Sequence, residues 1–217
     1  MNILFIGNSF TYYNCLTGIF RELCVLNGRD VNVEEITVGG YYLHQYLNKA
    51  DKHGLAVPYK LRQRPWDIVV LQDQSANPAL DPEDFLRSAS LLSRFAWDAG
   101  ARPCFYQTWS YREGSEKLSS IGLDYDTLYE LLRSSYERAA VENEALLAPV
   151  GTVFREMIRK HPEIDLYNKE DNYHPSPAGT CLAALTFYET LFGEKPEKLY
   201  IPEELTEETC RILCGDM

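Results

Sequence analysis

The sequence lacks any hydrophobic run long enough to cross a membrane. A transmembrane helix needs roughly 18 consecutive, mostly apolar residues, and no stretch of the 217-residue chain approaches that length. The N-terminus also lacks the basic region, the apolar stretch and the cleavage site of a signal peptide. The sequence therefore predicts a cytoplasmic protein with no membrane partner.

Positive charge is scarce. The chain has 21 Lys and Arg residues against 32 Asp and Glu residues, which gives a net charge of −11 at pH 7. The densest basic run, KLRQR at 60–64, is typical of a solvated helix end. Because an acidic chain repels phosphate backbones, we expect no nucleic-acid partner.

Clustered cysteines are also missing. The six cysteines form no Cys-x-x-Cys pair and are scattered through apolar surroundings: Cys15, Cys24, Cys104, Cys181, Cys210 and Cys214. Thiol-based metal and redox sites need cysteines close together. The sequence therefore predicts reduced cysteines that are buried or half-buried.

The chain has neither an internal repeat nor a linker rich in Gly, Ser or Pro, and strand-like runs alternate with helical ones. Strands are predicted at 2–6, 31–38, 67–72, 102–107 and 145–150. Helices are predicted near 15–27, 41–62, 82–99, 125–143, 151–160 and 176–192. Such alternation implies right-handed crossovers and a parallel sheet between helical layers.

This pattern predicts a single α/β domain over residues 1–193. The tail, 194–217, is expected to add a short helix at 203–213 that packs on the outside of that domain. The stretch 108–124 is longer than a usual loop, and we expect it to cover a site.

The first predicted strand ends in Gly7, Asn8 and Ser9. In open parallel sheets ligands bind beyond the carboxyl ends of the strands, so residues at these positions are candidates for a site. A serine hydroxyl becomes a useful nucleophile when a base removes its proton during attack. The backbone N–H of Ser9, at the start of a helix, is also suited to binding an anion.

A second candidate fragment is DNYHPSPAG at 171–179, which precedes the last long helix. The Asp-x-x-His spacing lets the Asp171 carboxylate bind one imidazole nitrogen of His174 while the other stays free as a base. Taken alone, the fragment is equally compatible with a surface loop that contains a capping aspartate.

Two further strand ends supply candidate hydrogen-bond donors. Gly40 allows a substrate to approach the backbone closely, although Gly39-Gly40 is also compatible with a plain turn. Gln74, after the third strand, carries a side-chain amide. Three donors that converge on one oxygen would form an oxyanion hole.

Four blocks together resemble the signature blocks of the SGNH hydrolases, the GDSL-like esterases and lipases. They are FIGNSFT, the glycine of TVGG, VVLQDQS and DNYHPSPAG, and the resemblance runs from residue 2 to about residue 192. With QTW at 107–109, VVLQDQS is similar to a bacterial branch of this superfamily. The resemblance implies a flavodoxin-like three-layer α/β/α sandwich whose five-stranded parallel sheet has the order 2-1-3-4-5.

The resemblance also implies roles for individual residues. It implies Ser9 as the nucleophile, His174 as the base and Asp171 as the residue that orients the imidazole. The oxyanion hole would consist of the N–H groups of Ser9 and Gly40 and one side-chain amide.

Two positions depart from the family pattern. Asn8 replaces the usual aspartate of the first block, a change that affects the turn rather than the nucleophile. In the third block, usually Gly-x-Asn-Asp, Gln74 stands where the family has its donor asparagine. Asn77 is the alternative donor.

These residues predict acyl transfer on a small-molecule ester, without a metal ion or an organic cofactor. We expect Trp109 and Asn77 to contact the substrate. Aromatic residues that follow strand ends are expected to ring the site: Tyr12, Tyr13, Tyr41, Tyr42, Trp109 and Tyr111. Aromatic faces with polar tips suit sugars, so the predicted enzyme cleaves small-acyl, chiefly acetyl, esters, with carbohydrates as a candidate alcohol.

Other functions remain open at this stage. The same motifs are compatible with a non-catalytic carbohydrate-binding module, or with a lipase or thioesterase for longer acyl chains. Metal-assisted hydrolysis by Asp73, Asp171 and His174 has too few evident ligands. Phosphate chemistry of the response-regulator type needs acids after the first strand to hold magnesium, and none is present there. No sequence feature indicates a homo-oligomer.

Overall fold

The computed structural model describes residues 1–215. Its sheet consists of five strands: β1 (Asn2–Gly7), β2 (Asn32–Thr37), β3 (Ile68–Leu71), β4 (Arg102–Tyr106) and β5 (Leu146–Ala148). All neighbouring strands pair in parallel, and their order is β2-β1-β3-β4-β5. This confirms the predicted topology.

Helices connect and follow the strands. They are α1 (Ser9–Tyr12), α2 (Leu16–Leu26), α3 (Lys52–Gln63), α4 (Asn77–Leu80), α5 (Pro82–Asp98), α6 (Glu116–Ser119), α7 (Tyr125–Glu142), α8 (Val150–Lys160), α9 (Pro177–Phe192) and α10 (Glu207–Gly215). Short 3₁₀ helices span Tyr13–Cys15 and Leu43–Leu47.

The sheet has a separate hydrophobic core on each face. Side chains alternate between the two faces along a strand, so Ile3 and Phe5 of β1 enter one core and Leu4 and Ile6 enter the other. The first core packs against α2, α8 and α9, and the second against α3, α5 and α7. The predicted three-layer α/β/α sandwich is therefore confirmed.

Two long helices begin directly after a side chain that caps them. The Asp81 carboxylate accepts a hydrogen bond from the Asp84 N–H at 3.1 Å, and Pro82 opens α5. The Ser176 hydroxyl accepts from the Gly179 N–H at 3.1 Å ahead of Pro177, the first residue of α9. These contacts satisfy N–H groups that have no acceptor within the helix.

The single helix predicted at 41–62 is wrong. A 3₁₀ helix ends at Leu47, and α3 begins at Lys52 because the Asp51 carboxylate caps the N–H groups of His53 and Gly54. Gly54 allows the close approach of the preceding turn, since a Cβ there would lie 2.1 Å from the Asn48 carbonyl oxygen.

All six cysteines are free thiols, and four of them are buried. Burial raises the pKa values of Cys24 and Cys104 to about 12, which keeps these thiols protonated and unreactive. Cys15 is exposed instead of buried, because the chain turns outward through left-handed conformations at Asn14 and Cys15 before α2 begins.

The C-terminal helix α10 lies against α9, with Cys210 and Leu213 fully buried in the shared core. It begins at Glu207, four residues later than expected. The division into a 1–193 domain and a 194–217 tail stays a prediction, and residues 216–217 lie outside the described part. No helix within residues 1–215 is long and apolar enough to span a membrane.

Candidate active site

The turn after β1 presents Ser9 at the start of a helix. Asn8 caps α1: its side-chain oxygen accepts a hydrogen bond from the Phe10 N–H at 3.1 Å. The Asn8 amide group donates to the Tyr41 carbonyl at 2.9 Å, which holds the turn against the segment after β2. Ser9 is consequently the first helical residue, and it remains half-buried rather than covered.

Gln72, at the end of β3, braces this turn from beneath. Its side-chain oxygen accepts from the Asn8 N–H and from the Thr11 hydroxyl, both at 2.9 Å. A Cβ at Gly7 would lie 2.7 Å from that oxygen and 2.4 Å from the Thr11 hydroxyl. Glycine is therefore required at position 7 because a side chain would displace Gln72. A buried polar residue that closes an otherwise apolar strand is the sequence signal for this bracing role.

Ser9, His174 and Asp171 form one continuous row of hydrogen bonds. The Ser9 Oγ lies 2.7 Å from His174 Nε2, although the two residues are 165 positions apart in the chain. His174 Nδ1 lies 2.7 Å from Asp171 Oδ2. The structure thus brings together the three residues that the motifs single out.

The turn at 171–174 is built by the Asp171 carboxylate. Asp171 Oδ1 accepts from the backbone N–H groups of Tyr173 and His174, each at 3.0 Å, and Asn172, which directly follows Asp171, takes a left-handed φ of 63°. Partial burial raises the pKa of Asp171, but these hydrogen bonds and the imidazole outweigh burial and hold the pKa below its usual value. The carboxylate therefore stays ionised beside His174.

The candidate oxyanion donors share a cavity with Ser9 and His174. Ser9, Gly40 and Gln74 line one cavity of about 280 Å³ together with His174. Within residues 1–215, the backbone N–H groups of Ser9 and Gly40 donate to no acceptor. Gly40 has a φ of +73°, a conformation that glycine adopts without strain.

Asn77 does not reach this cavity, so its predicted roles as alternative donor and substrate contact are wrong. Its amide nitrogen donates to the buried Asp73 carboxylate at 2.8 Å. The other carboxylate oxygen of Asp73 accepts from the N–H groups of Leu43 and Gln74, at 2.7 and 2.8 Å. Burial raises the pKa of Asp73 to about 6, against the lowering effect of these hydrogen bonds. The Asn77 amide is therefore already hydrogen-bonded to the Asp73 carboxylate.

Trp109 does not contact the cavity either, and its predicted role in substrate binding is wrong. The indole is fully buried and stacks between Phe10 and Phe154, with ring centroids 4.4 and 4.2 Å away. Its Nε1–H donates to the Tyr173 carbonyl at 3.0 Å, directly before His174. Trp109 therefore supports the histidine loop from the core.

The ring of aromatic residues is only partly as predicted. Tyr12 and Tyr13 line the cavity, and Tyr13 stacks on the His174 imidazole with centroids 4.4 Å apart. The sequence did not reveal Tyr173, whose ring centroid lies 4.2 Å from the imidazole on another side. Four of the six predicted members lie outside the cavity lining: Tyr41, Tyr42, Trp109 and Tyr111.

Lys117 is a second cavity residue that the motifs did not reveal. It belongs to α6 and is the one residue of the 108–124 stretch that lines the cavity, so the expectation that this stretch covers a site stays a prediction. The described residues contain no group of three or more His, Cys, Asp or Glu side chains placed to hold a metal ion. A larger cavity of about 460 Å³, lined in part by Tyr125, Arg155 and Asp165, includes none of the candidate catalytic residues.

Comparisons with known proteins identify structural relatives. No family model and no curated protein matches the sequence. A solved structure of a candidate SGNH hydrolase from Slackia heliotrinireducens is 36% identical, with a TM-score of 0.79, over 88% of this chain and 98% of that chain. A DUF4886 family protein from Bacteroides uniformis is 18% identical, with a TM-score of 0.84, over 100% of this chain and 92% of that chain. An acetylxylan esterase from Geobacillus stearothermophilus is 14% identical, with a TM-score of 0.62, over 88% of this chain and 93% of that chain. The last two show a shared fold.

Proposed function

This chain belongs to the SGNH hydrolase family, and on that premise we propose that it is a serine esterase that cleaves small-acyl esters. The observation that carries the proposal is the row of hydrogen bonds from Ser9 through His174 to Asp171, with both contacts at 2.7 Å. A hydroxyl, an imidazole and an ionised carboxylate in this arrangement are the parts that acyl transfer requires.

In the first half of the reaction the Ser9 Oγ attacks the ester carbonyl carbon while His174 Nε2 takes the hydroxyl proton. Asp171 holds the Nδ1–H and stabilises the imidazolium that forms. The carbon–oxygen bond to the alcohol then breaks, and the departing alkoxide takes the proton from Nε2. The acyl group remains on Ser9. In the second half, water takes the place of the alcohol and releases the acid by the same proton transfers.

The negative charge on the tetrahedral intermediate needs donors on the face of the cavity opposite His174. The N–H groups of Ser9 and Gly40 have no acceptor within residues 1–215 and are therefore available. The Gln74 amide carries two hydrogens. Gln74 lines the cavity beside Ser9, so its amide is the third proposed donor to the oxyanion.

The size of the cavity supports a small substrate. Its volume of about 280 Å³ lies just below the usual range for small-molecule sites, about 300–1,000 Å³. Its aromatic lining consists of Phe10, Tyr12, Tyr13 and Tyr173, besides the His174 imidazole. We propose an acetyl or similarly short acyl group, with a carbohydrate as one candidate for the alcohol.

The test is hydrolysis of p-nitrophenyl esters of increasing acyl length by the wild-type protein and by Ser9→Ala. We expect acetate and propionate to be the best substrates, and Ser9→Ala to lose nearly all turnover while its circular dichroism and melting temperature stay those of the wild type. A preference for long chains would overturn the short-acyl proposal. Undiminished turnover by folded Ser9→Ala would overturn the esterase mechanism.

A further inference from the structure

The candidate active-site cavity contains one permanently charged side chain among the described residues that line it, and that side chain is Lys117. Lys117 is half-buried and lies in α6, beside the nucleophile. The chain as a whole carries a net charge of −11, so its overall field does not attract anions to the site. Any attraction of an anion to this cavity must therefore come from Lys117 itself.

The Lys117 ammonium forms no ion pair with a carboxylate of residues 1–215. Its nitrogen instead lies 4.9 Å from the ring centroid of Tyr173 and 5.6 Å from that of Tyr111. By contrast, Lys60, which is also partly buried, contacts the Glu34 carboxylate at 2.6 Å. Removing an ammonium partly from water without a hydrogen-bonding anion is unfavourable. The positive charge of Lys117 is thus not neutralised by a carboxylate of residues 1–215.

Tyr173 links the ammonium to the reacting groups. One neighbour of its ring is the Lys117 ammonium, and another is the His174 imidazole, at a centroid distance of 4.2 Å. When an ester is bound at Ser9, the Tyr173 ring therefore lies between the reacting groups and the Lys117 ammonium. That separation suits a charged group on the substrate rather than the ester carbonyl itself.

We propose that Lys117 determines specificity by binding an anionic group, a carboxylate or a sulfate, carried by the ester substrate. The inference rests on the esterase function proposed above and narrows its substrate class to negatively charged short-acyl esters. The competing role for Lys117 is a purely structural one, in which the ammonium only holds α6 against the two tyrosine rings. A structural role affects stability but leaves the preference for charged over neutral ligands unchanged.

The experiment measures binding of intact esters to Ser9→Ala by titration calorimetry, so that no turnover is required. On the alcohol side, para-acetoxybenzoate is compared with the neutral para-acetoxybenzamide. On the acyl side, monomethyl succinate is compared with methyl butyrate. The same pairs are tested in Ser9→Ala backgrounds that carry Lys117→Met, Lys117→Arg or Lys49→Met. Lys49 is exposed and does not line the cavity, so its substitution is the matched control for loss of one positive charge.

We expect the anionic member of at least one pair to bind on the order of tenfold more tightly in the Ser9→Ala protein, as a charge-assisted hydrogen bond provides. Lys117→Met should make the affinities for the anionic and the neutral ester equal, whereas Lys117→Arg and Lys49→Met should keep the preference for the anionic ester. The pair that responds identifies whether the anion lies on the alcohol or the acyl part.

Equal binding of both members in both pairs, or a ratio that survives Lys117→Met, would overturn the inference. Failure of the proposed function would look different: the wild type would hydrolyse neither phenyl acetate nor any of the four esters of the binding experiment, whatever the binding ratios.

Discussion

Asp171→Asn separates the proposed catalytic role of this residue from its role in building the turn. In the wild type, Oδ1 accepts two backbone N–H bonds at 3.0 Å, and Oδ2 lies 2.7 Å from His174 Nδ1. The side-chain oxygen of the introduced asparagine can keep both backbone contacts, which places the new amide group against Nδ1. Because an amide donates, Nδ1 must then accept, and the imidazole proton moves to Nε2, opposite Ser9. The turn is kept, but His174 Nε2 now carries a proton and can no longer accept one from Ser9.

We expect kcat/KM on p-nitrophenyl acetate to fall by about 10³- to 10⁴-fold, which corresponds to about 4–5.5 kcal/mol of lost transition-state stabilisation. The melting temperature should change little. Asp81→Asn is the matched control, because Asp81 caps α5 and asparagine caps a helix equally well. Activity of Asp171→Asn within tenfold of the wild type would refute the reasoning and leave Asp171 as a turn residue only.

Two further predictions concern the neighbouring loop. Gln74→Leu should lower kcat on p-nitrophenyl acetate by about 10²- to 10³-fold with little change in KM, because it removes one of the proposed oxyanion donors; a change confined to KM would contradict that role. Asp73→Asn tests the buried carboxyl group. Burial raises its folded-state pKa to about 6, so the folded protein favours the protonated form. The resulting contribution to the free energy of unfolding is full below the unfolded-state pKa and is lost as the pH rises through about 6. The free energy of unfolding of Asp73→Asn relative to wild type should therefore rise by on the order of 3 kcal/mol from about pH 4 to pH 7, as measured by urea denaturation; a difference that does not vary with pH would contradict the raised pKa.

The fold was predictable because its signals are local and agree with one another. Continuous apolar runs identify buried parallel strands, and capping residues such as Asp81 and Ser176 mark where helices begin. The error at 41–62 arose where two helical segments follow each other. The Asp51 cap that separates them was not recognised as a boundary.

The candidate site was predictable where its residues follow strand ends or share a short spacing. Ser9 follows β1 at the carboxyl edge of the parallel sheet, where ligand sites are expected. The Asp171–His174 pair was found by its spacing, and the segment between α8 and α9 brings it to Ser9. Trp109 also follows a strand, but sequence position does not distinguish a side chain that lines a cavity from one that packs between Phe10 and Phe154. Lys117 lies far from any strand end, and only folding of the 108–124 stretch brings it to the cavity.

The role of Asn77 could not be predicted from the sequence for a different reason. Its amide is chemically suited to an oxyanion hole, and sequence distance from β3 did not separate it from Gln74. The buried Asp73 carboxylate decides between them, because it needs a donor and takes the Asn77 amide at 2.8 Å. Competition of this kind depends on three-dimensional contacts that spacing along the chain does not reveal.

The most direct test of the account is covalent labelling with a fluorophosphonate, followed by mass spectrometry of the intact protein and of its peptides. An activated serine attacks such a reagent and keeps the phosphonyl group. We expect one adduct, on the peptide that contains Ser9, with labelling absent in Ser9→Ala and greatly slowed in His174→Ala. An adduct on a different residue, or equally fast labelling without His174, would contradict the claim that His174 activates Ser9.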